Sequence, residues 1–118
     1  MNAQQTMAQL RPASDRLAQE IPDVYATFGA FHDAVLDKPG ALDVKMRDLI
    51  GLAVAVTKQD DGCVAAYTAR AAQHGATTHE VAETIGVALL MNGGPAHVWG
   101  ARALEAFDEW QRAGQPVH

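Results

Sequence analysis

Apolar residues at Leu17, Ile21, Val24, Phe28, Phe31 and Val35 recur at steps of four and three, the period of one helical face. Pro22 falls inside that stripe, and proline fits the first turn of a helix, where its missing N–H has no partner to lose. The pattern therefore predicts a short leading helix and a second from about Pro22 to Leu36. "DKPGALD" breaks it, and Asp43 then suits the N-cap of "VKMRDLIGLAVAVTK". The centre of that segment is apolar on every side, which predicts a helix surrounded by other helices. A strand is the rival reading; the segment's length, its alanines and the lack of turn residues favour helix.

A further helix is predicted from Asp60 to His74, closed by Gly75 in a left-handed cap. Thr77 and Glu80 have capping-box spacing and open "HEVAETIGVALLMN", where Val81, Ile85, Ala88 and Leu89 share a face before "NGGP" ends it. Pro95 starts the last long helix, with Trp99, Ala103, Ala106 and Trp110 at helical spacing and Gly114 at its end. The expectation is an all-α compact bundle of about five to six helices, without a repeat of fixed period.

Composition sharpens this picture. The 48% hydrophobic fraction is supplied largely by 23 alanines with only seven aromatics, which suits helices packed closely through small side chains rather than a sheet. At 118 residues one domain, spanning 1–118 with a core at about 36–110, is expected. A formal charge of −5 argues against nucleic acid and anionic membrane surfaces as partners, since both need a basic face. The longest apolar run, Leu49 to Val56, is far shorter than the ~20 residues of a bilayer span. The first twenty residues lack a basic region followed by an apolar one, so a cytoplasmic location is expected, and a single cysteine is consistent with a reducing compartment.

That cysteine, Cys63, lies in "DDGCVAAYTARAAQHGAT". On a helix Asp60, Cys63 and Tyr67 share a face. The first turn favours a thiolate, and the Asp60 carboxylate opposes one. The plain alternatives are a buried thiol acting as a small hydrophobe, a core aromatic and a helix-start acid. His74 and His79 match no common metal-ligand spacing, and "NGGP" lacks the frame and basic partner of a phosphate loop, so neither a metal nor another cofactor is expected.

From about Leu36 to Trp110, "RDLIGLAVAVTKQDDGCVAAYTARAAQHGATTHEVAETIGVALLMNGGPAHVWGARALEAF" and its flanks resemble the carboxymuconolactone decarboxylase family, within it the alkylhydroperoxidase D-like branch. The resemblance implies a reactive motif Cys-x-x-Cys-x-x-x-His with a glutamate about a dozen residues upstream in a proton relay. In that register Cys63 is the peroxidatic thiol, while the partner cysteine is Asp60, the histidine Tyr67 and the upstream glutamate Asp48. Without a second cysteine a sulfenic acid on Cys63 needs an external thiol for its reduction. Without imidazole at 67, Asp48 and Tyr67 remain as hydrogen-bond partners.

The resemblance also implies homo-oligomers, trimers or hexamers, and a small-molecule substrate: a hydroperoxide, or a small organic acid or lactone. The decarboxylase branch needs a grip on a carboxylate and a proton donor, for which Arg47, Arg70, His74 and His97 are available. Three readings follow: a redox protein with Cys63 as its lone reactive thiol, a lactone or acid decarboxylase-like enzyme, and a helical oligomer that has lost the chemistry.

Overall fold

The computed structural model describes residues 1–114, which form six helices and, among the described residues, no strand. They are α1 (Ala3–Glu20), α2 (Pro22–Leu36), α3 (Val44–Lys58), α4 (Asp61–Gln73), α5 (Thr78–Asn92) and α6 (Gly94–Gly114). Their ends lie where local chemistry puts them. The Asp43 carboxylate accepts the Met46 N–H at 2.8 Å, and Thr77 and Glu80 close a reciprocal capping box at the head of α5. Gly75 takes φ 84°, a conformation that costs glycine little, as the chain leaves α4.

α3, α4, α5 and α6 pack on one another around Leu52, Val56, Val64, Val81 and Phe107, all fully buried. Covering a phenylalanine of this kind contributes about 2–3 kcal/mol. Alanines make the close approaches: Ala65, Ala71, Ala96, Ala103 and Ala106 are fully buried, and a Cβ on Gly100 would meet Ile85 Cγ2 at 2.4 Å. Thr68, also fully buried, donates its hydroxyl to the Val64 carbonyl at 2.7 Å, so the core carries no cost for it. Trp110 donates its indole N–H to the Ala65 carbonyl and ties α6 to α4.

Three expectations need correction. The leading helix is not short: α1 has 18 residues and runs through Pro12. Its start is held from afar, by the Ala3 and Gln4 N–H groups donating to the Glu109 carboxylate on α6, a contact no local pattern reveals. α3 is not covered on every side, because Ile50 and Val54 are both about half exposed. Its buried face is Asp48, Leu49, Leu52, Ala55 and Val56, the side turned to α4, α5 and α6. On α5, Val81, Ile85 and Ala88 are buried while Leu89 lies on the exposed flank. α2 stands apart, resting lightly on α1 and α3.

Candidate functional site

The site residues lie along the seam between α3 and α4. Gln59, in the left-handed conformation with φ 57°, caps α3, and the next residue already caps α4. α3 and α4 are therefore joined by Gln59 and Asp60 alone and form an antiparallel hairpin. Asp60 Oδ1 accepts the Cys63 N–H at 3.0 Å, which occupies one of the unpaired donors of the first turn.

That hydrogen bond sets the state of Cys63. The thiol is pushed up to about 11, first by burial and then by the hydrogen bond and charge of Asp60. A helix start would favour the thiolate. Here the capping carboxylate and the loss of solvent outweigh it, so Cys63 rests as a thiol at neutral pH.

Tyr67 follows one turn along the same face and is half-buried. Its ring packs on Gly51 of α3, where a Cβ would meet Tyr67 Cε1 at 2.5 Å. Burial raises the phenol's pKa, with the Asp48 charge adding to the effect and the Arg70 charge opposing it.

Arg70 and His74 continue the stripe begun by Cys63 and Tyr67, and both turn to Asp48 across the seam. The Asp48 side chain is fully buried. One oxygen accepts from Arg70 Nε at 2.6 Å, and the other lies 2.6 Å from His74 Nδ1. Arg70 also donates to Asp37 at the end of α2, at 2.7 Å, and holds that carboxyl below its usual range. Burial opposes the Arg70 charge, and the two carboxylates outweigh it, so its pKa lies above the ordinary value.

The structure thus joins Asp60 to Cys63 and sets Tyr67 between Cys63 and Arg70. It engages Asp48 with Arg70 and His74 rather than with Cys63 or Tyr67. Because α3 and α4 run antiparallel, Asp48 faces the far end of α4, and the helical rise alone separates Cys63 from Arg70 by about 10 Å. Of the other candidates, Arg47 donates to the Val35 and Lys38 carbonyls and closes the end of α2, and His97 is exposed. Asp37 escaped the sequence reading, since its partner is 33 residues away. The spacing of Tyr67, Arg70 and His74 on one face, opposite Asp48, the one acid of α3, carries the signal for the rest of the network. Among the described residues, no group of three or more His, Cys, Asp and Glu side chains is arranged to hold a metal ion.

Known proteins share the fold and part of the sequence. The crystal structure of a carboxymuconolactone decarboxylase family protein from Legionella pneumophila superposes with a TM-score of 0.88 at 33% identity, covering 92% of this chain and 96% of that one. An uncharacterised protein of Cupriavidus necator is 36% identical over 93 residues, 78% of this chain and 80% of its own length. One from Haemophilus influenzae is 33% identical over 91 residues, 77% of this chain and 80% of its own. The sequence pattern of the family matches residues 22–106, which include α2 to α5 and all four seam residues of α4. The chain belongs to the carboxymuconolactone decarboxylase family.

Proposed function

We propose that the protein is a thiol-dependent redox protein of the alkylhydroperoxidase-like branch, reducing organic hydroperoxides through Cys63 alone and drawing on an external thiol for turnover. The observation that carries this reading is the position of Cys63. It sits in the first turn of α4 on the face that presents Tyr67 and looks onto α3, the place of the reactive thiol in the family register. In the reaction the thiolate attacks the outer peroxide oxygen, the O–O bond breaks, and the alkoxide leaves and takes a proton to become the alcohol. Sulfur is oxidised to a sulfenic acid. A first external thiol displaces water and forms a mixed disulfide, and a second releases Cys63 as a thiol and leaves with the first as a disulfide.

The resting state of Cys63 makes this a slow reaction at neutral pH. With the thiol pushed up to about 11, the ionised fraction at pH 7 is on the order of 10⁻⁴. Hydroperoxide consumption in the presence of a monothiol should therefore rise roughly tenfold per pH unit between pH 7 and 10, and Cys63→Ser should abolish it. A Cys63→Ser protein that keeps its rate would overturn the proposal.

A second reading is favoured by one observation: a half-buried imidazole oriented by a fully buried carboxylate whose other oxygen is held by Arg70. Such a pair suits general acid–base work on a small organic acid or lactone. If His74→Gln loses turnover of a substrate that Cys63→Ser still handles, this reading replaces the first. If the native chain turns over neither a hydroperoxide nor a small organic acid or lactone, the reading as a helical oligomer that has lost the chemistry replaces both.

A further inference from the structure

We propose that the outer edge of the Arg70 guanidinium is a binding site for a small carboxylate, and that Asp37 closes this site by occupying it from within the chain. Arg70 presents two edges. Its Nε donates to Asp48, and its Nη2 donates to Asp37 at 2.7 Å. The two acids differ in what holds them. Asp48 is fully buried in the α3–α4 seam with His74 on its second oxygen, whereas Asp37 follows the last turn of α2 and its side chain is 43% exposed. An ion pair so open to water holds weakly, so a dissolved carboxylate can compete for the same nitrogen. Guanidinium edges are matched in shape and charge to carboxylates, and Asp37 is itself the example of what this edge accepts.

The surroundings favour an anion and let Asp37 leave without unfolding a helix. Arg47 donates to the Val35 and Lys38 carbonyls, on either side of Asp37, and among the described residues its guanidinium pairs with no carboxylate. Those bonds keep the end of α2 in place, so only the Asp37 side chain has to turn outward. The Asp37 carboxyl is held below its usual range first by its hydrogen bond to Arg70, and the charges of His32 and His74 add to that. A carboxylate in its place would lie in the field of the same His74 imidazole, whose Nδ1 is taken by Asp48 and whose Nε2 is left for chemistry. Conversion of such a ligand rests on the acid–base reading of His74; its binding does not.

Titration with propionate, followed by the NMR signal of the Arg70 Nε–H at neutral pH and constant ionic strength, tests the site. In the native chain propionate should bind weakly, and propionamide, which lacks the charge, should not bind. Asp37→Asn should tighten propionate binding about fivefold, the worth of one surface ion pair. Asp37→Ser, measured beside it in case one variant fails to fold, should do the same. Asp33→Asn, one turn earlier on α2 with the same change of charge, should gain far less. Unchanged or weaker binding to the Asp37 variants, an equal gain from Asp33→Asn, or an equal response to propionamide would each overturn the proposal. Binding is read without turnover, so a chain that binds propionate as described and converts no organic acid would end the acid–base reading and leave this site standing.

Discussion

Asp48 and His74 stand 2.6 Å apart across the α3–α4 seam, the carboxylate fully buried and the imidazole on the residue that caps the end of α4. The second Asp48 oxygen is held by Arg70, so one carboxylate ties two residues of α4 to α3. Asp48→Ala should lower stability by about 3 kcal/mol, because it leaves a largely buried guanidinium with only Asp37 to face. His74→Ala should cost about 1 kcal/mol, since Asp48 keeps its stronger partner. Denaturant midpoints at unchanged slope measure both. Equal losses from the two changes would show that Arg70 does not anchor the pair.

The state of Cys63 predicts a pH dependence of defined sign. Its folded-state pKa, about 11, lies above the ordinary value of 9.0, so the folded chain keeps a proton that the unfolded chain releases. The stability this contributes is complete below pH 9 and is lost as pH rises from there through about 11. Asp60→Asn should lower the thiol pKa and speed alkylation at pH 8, while the asparagine still caps α4 and leaves thermal stability nearly unchanged. An alkylation profile unchanged by the substitution would leave burial as the sole cause.

Gly51 exists for Tyr67. Gly51→Ala drives a methyl group into the ring at 2.5 Å and should destabilise by about 1–3 kcal/mol. In a Tyr67→Ala background the same change should cost much less, which a double-mutant cycle reads as coupling between the two positions. Additive losses would mean that the ring moves aside freely.

Asp60→Cys with Tyr67→His would place around Cys63 the Cys-x-x-Cys-x-x-x-His motif on which the proposed redox reading rests. The cysteine removes the α4 cap, at about 1 kcal/mol. In return it provides a thiol that can condense with the Cys63 sulfenic acid, and the imidazole adds general-base help worth on the order of 10²-fold or more. Hydroperoxide turnover with a dithiol reductant should exceed that of either single change. A folded but inert double variant would mean that the seam gives a hydroperoxide no room beside Cys63.

Much of the architecture was legible because it is written locally. The Asp43 cap, the Thr77–Glu80 box, the Pro22 start of α2 and the glycine after α4 each depend on residues within one turn. The contact of Asp60 with the Cys63 N–H is likewise local, between residues three apart. What escaped depends on helices meeting. Glu109 on α6 adds to the local Asn2 cap in holding the start of α1, and the partners of Asp48 and Arg70 could not be known until α3 was laid antiparallel to α4 with α2 ending beside them. The exposed side of α3 escaped for a related reason: apolar residues all round a helix predict full cover, and Ile50 and Val54 are only about half covered.

The Gln59–Asp60 connection has a kinetic consequence. Closing so short a loop costs little chain entropy, and contacts between neighbouring helices form faster than those that wait for distant segments. Asp48, Gly51, Cys63, Tyr67, Arg70 and His74 all lie on this hairpin, so the candidate site should assemble with it, ahead of the docking of α1 on α6. In pulse-labelling hydrogen exchange during refolding, amides of α3 and α4 should gain protection before those of α1. Lengthening the connection with glycines should slow that first phase, and so delay the appearance of the site as well as of the fold.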